Sequence, residues 1–245
     1  MNTLNADVLP TLEHESRQLI RWLDTNARAR QLFDGTLDAT TYAHFLLQTY
    51  HYVRWTTPLL AHAGQRMARL GRHPVLAELL RQKASEERGH ERWLLADLCN
   101  LGWSAESVER SLPCAAVAAY VAWNRFTVEA GSPTAFLGTA YVLEALSVYR
   151  AGEAVSHLLE RSGIPHIHKA VTFLRGHAEA DVGHVEELAT VLRGLTDPEE
   201  CEALVLSART TRALYTGLFA EESRQPRLAR GSRSGARAER GASVS

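Results

Sequence analysis

The sequence predicts an all-α fold, a bundle of about seven or eight helices. Three observations carry this. Apolar residues recur at helical spacing along nearly the whole chain, no run alternates apolar and polar residues as a half-buried strand does, and the connecting segments are short.

Taken in order, the periodicity places helices at about 8 to 33 with a break near Asn26, 38 to 70 with a kink at Pro58, and 74 to 101. They continue at 104 to 111, 114 to 130, 133 to 162, 165 to 193 and 198 to 222. Gly71 and Pro74 bracket one turn and Gly102 ends a helix. Ser132-Pro133 and Asp197-Pro198 each set a capping side chain before a proline at the first helical position. Glu199 and Glu200 then fall in a first turn, where the helix dipole favours anions. Connections this short make neighbouring helices pack antiparallel.

With 245 residues, 45% hydrophobic and 22% charged, the chain can bury a substantial core, and its net charge of -1 points to neither nucleic acid nor an anionic membrane as partner. Residues 1–222 read as one helical domain. Residues 223–245 read as a disordered Arg/Gly/Ser-rich tail, in which six arginines from Arg224 to Arg240 face the single acid Glu239. Cys99, Cys114 and Cys201 are too scattered for a disulfide framework or a CxxC zinc site, and they read as buried thiols. The opening MNTLNADVLPTLEHES lacks a signal-peptide pattern and no stretch is apolar enough for a membrane span, so a cytoplasmic protein is expected.

Two stretches could carry chemistry. In SEERGHERWLLADL, Glu87 and His90 stand at i, i+3 on one helical face; in HAEADVGHVEEL, His177, Asp181 and His184 form a stripe at i, i+4, i+7. Carboxylate-x-x-histidine on two helices of an all-α chain is the donor set that paired iron or manganese ions require. Glu144, in the otherwise apolar GTAYVLEALSVY, adds a carboxylate whose burial a metal would explain. Each piece also has a structural reading. Glu87 lies in a charged run that could be a solvated ion-pair face, the histidine stripe could be surface or interhelical, and Glu144 could pair with Arg125 or Arg150. Asp97, seven residues after His90, is a reserve ligand or an acceptor orienting His90. His44, His51 and His62 would share a face but lack a carboxylate at ligand spacing, and His73, His157, His166 and His168 read as exposed. In HYVRW the aromatics read as core or as a substrate pocket, with Arg54 available to a substrate carboxylate.

These residues resemble the haem-oxygenase-like diiron oxidases, a family of iron-containing redox enzymes whose fold is shared with haem oxygenases and thiaminase-type enzymes. The resemblance runs from LFDGTLDATTYAHFLLQTYHYVRWTTPLL at 32 to 60, through EERGHERWLLADLCNLG and the Glu144 helix, to HAEADVGH. It implies a haem-oxygenase-like helical bundle in which Glu87, His90, Glu144, His177, Asp181 and His184 are the metal ligands. Some members take an acid seven residues before the first histidine, where this sequence has Lys83; Glu87 fits the variants with closer spacing.

The resemblance further implies two iron ions, the second weakly bound, with manganese as the other candidate metal. Its partners would be dioxygen and a small amino-acid-like or fatty-acid-like molecule to be oxidised, fragmented or N-oxygenated, with an external electron donor and a homodimer both allowed. Tyr141, with Tyr149, Trp123 and Phe126, would bound the substrate space and exclude water. The alternatives are a haem oxygenase-type or cofactorless enzyme of the same fold and a non-enzymatic helical binding protein.

Overall fold

The computed structural model describes residues 7–219, without the side chains of residues 179–182 and 184. The predicted tail from 223 lies outside the described residues. Among them are eleven α-helices, more than the seven or eight expected, because each of the first three predicted helices is divided in two.

The divisions have local causes. The first gives α1 (Leu9–Thr25) and α2 (Ala27–Phe33), because the side chain of Asn26 accepts from the amides of Arg28 and Ala29 and so caps a new helix. The second gives α3 (Ala39–Val53) and α4 (Thr56–Arg69). The break falls at Arg54-Trp55 rather than at Pro58, since a proline ring clashes with the carbonyl four residues before it. The third gives α5 (Pro74–Glu86) and α6 (His90–Asn100), separated at Gly89, whose φ of 97° suits a residue without Cβ.

The chain continues through α7 (Ala105–Arg110), α8 (Ala115–Glu129), α9 (Phe136–Arg161), α10 (Thr172–Leu192) and α11 (Pro198–Gly217), with short 3-10 turns before α9 and α10. Asp197 caps α11 through the amides of Glu199 and Glu200, as expected. Ser132 makes no such bond to the backbone; its hydroxyl meets that of Thr134 instead.

Helix α9 is the axis of the bundle, in contact with α1, α2, α8, α10 and α11. Leu12, Leu19 and Leu23 of α1 and Leu137 and Leu158 of α9 are fully buried, in line with the apolar spacing that predicted these helices. Two polar clusters fix the register. The Thr139 hydroxyl of α9 lies 2.8 Å from Asn124 Oδ1 of α8 and 2.6 Å from Thr211 Oγ1 of α11. Glu15 of α1 accepts from Arg209 and Arg212 of α11 at 3.0 and 2.8 Å. Burial alone would raise the Glu15 pKa, but the two guanidiniums outweigh it and hold the carboxyl below its usual range. No helix is long and apolar enough to cross a membrane among the described residues.

Several predicted surroundings differ. His157, expected to be exposed, is half-buried with Nδ1 2.6 Å from the carbonyl of Phe33, and His73 Nε2 lies 2.6 Å from the buried Glu200. Phe126 and Tyr149, expected to enclose a substrate, are 55% and 61% exposed. Cys99 is exposed rather than buried, and Cys114 and Cys201 are half-buried.

His51 is buried, with Nε2 2.9 Å from Ser111 Oγ; that hydroxyl donates to the carbonyl of Val108, so the imidazole is the donor. Burial, assisted by the charge of Arg54, lowers its pKa to about 4. The folded state therefore binds fewer protons than the unfolded chain between the unfolded value of about 6.5 and this one. Stability should be undiminished above the unfolded pKa and fall as pH drops through that window. Urea midpoints at about pH 7.5 and about pH 5 should differ less in His51→Gln than in the wild type; an equal fall in both would assign the acid sensitivity to other groups.

Candidate metal centre

Three donors meet where α5, α6 and α10 converge. Glu87, His90 and His177 each offer a ligand atom, and these atoms all lie within 4.8 Å of one another. Their proximity is built from both ends of the sequence. Glu87 follows α5 and His90 opens α6, and the left-handed turn at Gly89 between them folds the two side chains together, Nδ1 to Oε2 at 2.9 Å. An ionised carboxylate can only accept, so His90 donates from Nδ1 and Nε2 is the nitrogen left to face a metal. The His90 ring stacks on Trp93 one turn later, with ring centroids 4.1 Å apart.

His177 arrives on α10. Its Nδ1 donates to the Phe173 carbonyl at 3.0 Å, again leaving Nε2 as the basic nitrogen, and its ring lies edge-on to that of His90 at 5.0 Å. Burial lowers the pKa of His177, while the carboxylates of Glu87 and Glu144 and the bond to Phe173 partly oppose it. The imidazole is thus neutral near pH 7, the form that binds a metal. Two imidazole nitrogens and a carboxylate, all half-buried, are a donor set that suits a divalent ion such as iron, manganese or zinc.

The position of α10 depends on Asp97. Its fully buried carboxylate accepts from the amides of Thr172 and Phe173 at 3.1 and 3.0 Å, satisfying the first turn of α10. Asp97 was expected to be a reserve ligand or to orient His90. It instead caps the helix that carries His177. Burial raises its pKa despite those two bonds, so the charge is held at a cost in solvation. Tyr42 adds a second tether, its hydroxyl donating to the Ala170 carbonyl at 2.7 Å. Gly176 then lets α10 close onto α6, since a Cβ there would lie 2.6 Å from the Trp93 ring.

A cavity of about 140 Å³ begins at this cluster. Glu87, Glu144, His177 and Lys83 line it at one end, and apolar side chains such as Phe33, Phe45, Phe136 and Leu143 form its walls. Tyr52, Tyr120 and Tyr215 also border it and stand edge to face at 5.4 and 6.2 Å. Burial raises the Tyr52 pKa to about 12, so its hydroxyl remains neutral. Arg150 lines the cavity too, paired with Asp24 and Glu153.

The structure thus brings three of the six residues expected as ligands within reach of one ion, and Glu144 lines the cavity beside them and acts by its charge on His177. The side chains of Asp181 and His184 lie outside the described residues, although the backbone of α10 runs through both positions. The two residues expected to bind substrate are placed elsewhere. Arg54 is exposed at the end of α3, its guanidinium 5.9 Å from the Tyr50 ring. Tyr141 borders a separate cavity of about 490 Å³ between α1, α9 and α10. Within HYVRW it is Tyr52 and Val53 that face the apolar cavity. Lys83, noted in the sequence only as a departure, is buried with Nζ 2.9 Å from Glu86 and 2.8 Å from Glu187. Burial pulls its pKa down, but the two carboxylates more than offset this and the net direction is upward, so the lysine stays charged.

Comparison with known proteins follows the same line. A family model described as iron-containing redox enzyme matches residues 43–216. Among solved structures the chain is similar to a domain of unknown function with a haem oxygenase-like fold from Shewanella denitrificans OS217. The two are 22% identical, with a TM-score of 0.76 over 86% of this chain and 90% of that one. It is similar also to a TenA homologue from P. horikoshii OT3, at 18% identity and a TM-score of 0.65 over 88% and 99% of the two chains. A TenA homologue from Pseudomonas syringae pv. tomato str. DC3000 gives 15% identity and 0.65 over 87% and 91%. These likenesses establish the haem-oxygenase-like fold. No curated protein matches the chain.

Gly176→Ala should destabilise the protein by about 1–3 kcal/mol, the usual range for overpacking, and weaken divalent-metal binding, because the added methyl meets Trp93. Thermal unfolding and Mn(II) titration of the variant check this. Unchanged metal affinity would mean that the approach of α10 to α6 does not assemble the site.

Proposed function

The chain belongs to the family of iron-containing redox enzymes, and on that premise we propose that it is a metal-dependent oxidase or oxygenase acting on a small, largely apolar organic molecule. The observation that carries the proposal is the convergence of Glu87, His90 and His177 beside a largely apolar cavity. Glu144 and, from the sequence pattern, Asp181 and His184 complete a ligand set for two ions, of which the second is held more weakly. When bound, iron supplies the reducing equivalents for chemistry with dioxygen.

The chain's own residues do the rest. Phe173 and Glu87 fix the tautomers of the two imidazoles, so that the basic nitrogens are available without rearrangement. Phe33, Phe45, Phe136 and Leu143 give the substrate an apolar surface and keep water from it. An apolar cavity of about 150 Å³ takes a benzene-sized molecule, so the cavity of about 140 Å³ holds a molecule, or the part of one, on the order of six heavy atoms. The fold alone does not select the reaction, since one scaffold hosts several chemistries.

Anaerobic titration with Fe(II), followed by exposure to dioxygen, tests this for the wild type and for His177→Ala. The wild type should take up iron and consume dioxygen on admission, and the variant should lose at least tenfold in iron affinity. Failure of the wild type to take up iron would contradict the proposal. Activity of the metal-free protein would favour a cofactorless enzyme, and a Soret band on addition of haem would favour a haem enzyme.

A further inference from the structure

Lys83 is a positive charge buried beside a proposed cation site. It is 7% exposed, and it lines the same end of the cavity as Glu87, Glu144 and His177. The Glu87 amide donates to the Lys83 carbonyl at 2.9 Å, so the two side chains leave the same edge of the helix one turn apart. The ammonium is paired with Glu86 on its own helix and with Glu187 on α10. As a strut between α5 and α10 it has a structural role, and its position gives it a second one.

A fixed ammonium acts on the cavity in two ways. It offsets part of the negative charge of the carboxylates around it, so that a divalent ion arriving after the first meets a weaker attraction there. It also engages Glu86 and Glu187, two hard oxygen donors that would otherwise be available to such an ion. The donors Glu87, His90 and His177 form a set of which Lys83 is not a member.

We infer that Lys83 is a resident cation that sets the metal stoichiometry of this chain: one divalent ion is held tightly by Glu87, His90 and His177, and a second at least tenfold more weakly. This rests on the metal-centre reading above. It adds that the weakness of the second site is written into a single side chain, and that removing the charge converts a carboxylate-rich neighbourhood into a competent second site.

Anaerobic Mn(II) titration, with free Mn(II) followed by electron paramagnetic resonance, separates the two readings. The wild type should bind one ion tightly and a second at least tenfold more weakly. Lys83→Met, which keeps an unbranched apolar stem, should bring the two affinities to within about threefold of each other, and Lys83→Arg should behave as the wild type. Glu187→Gln retains the ammonium while removing one partner, so it should not strengthen the second ion; it serves as the second variant if Lys83→Met fails to fold. Two equally tight ions in the wild type, an unchanged ratio in a folded Lys83→Met, or a tightened second ion in Glu187→Gln would each overturn the inference while leaving the metal centre standing. No uptake by the wild type would overturn the metal centre and this inference with it.

Discussion

The carboxylate of Asp97, removed from water and bound to the amides of Thr172 and Phe173, fixes where α10 begins. A buried ion is costly, and burial raises the Asp97 pKa even with two amide donors present. What the charge secures is position. The amides are those of a helix's first turn, where an anion is favoured both by unsatisfied N–H groups and by the helix dipole. Four residues after Phe173 stands His177, whose Nδ1 donates to the Phe173 carbonyl. The same short segment therefore carries the anchor, the group that sets the tautomer and the ligand itself.

From that anchor the rest of the site follows by packing. Gly176 removes the one Cβ that would hold α10 away from Trp93, and Trp93 in turn stacks on His90. The left-handed residue Gly89 turns His90 back onto Glu87. Lys83, engaging Glu86 and Glu187, ties α5 to α10 as well. The ionisable groups Lys83, Glu87, Glu144 and His177 thus gather beside a largely apolar cavity, where partial removal from water strengthens their mutual interactions.

Much of this was legible in the sequence, for definite reasons. Helical periodicity and capping residues such as Asp197 are local signals, so the elements and their order followed from them. The carboxylate-x-x-histidine spacing of Glu87 and His90 is also local, as is the apolar surrounding of Glu144. What could not be read depended on contacts between distant segments. Asp97 shares a helical edge with His90, which suggested a role there, but its partners are the amides at 172 and 173. Tyr141 and Glu144 are three residues apart, yet the cavity-facing stripe of α9 runs through Ala140, Leu143, Ser147 and Arg150 and leaves Tyr141 on another side. Arg54 ends a helix that the proline four residues later had to interrupt, and the interruption turns it outward. Cys99 illustrates the base tendency of thiols to be buried failing at an exposed helix end.

The central claim is that imidazoles from two separate helices, positioned through Asp97 and Gly176, bind one metal ion together. X-ray absorption at the iron edge of the anaerobically loaded protein addresses it directly, because imidazole rings leave a distinct multiple-scattering pattern around a bound ion. The account predicts a shell of nitrogen and oxygen donors with scattering from at least two imidazoles, one of which is lost in His177→Ala. A shell without imidazole scattering, or one unchanged by that substitution, would contradict it.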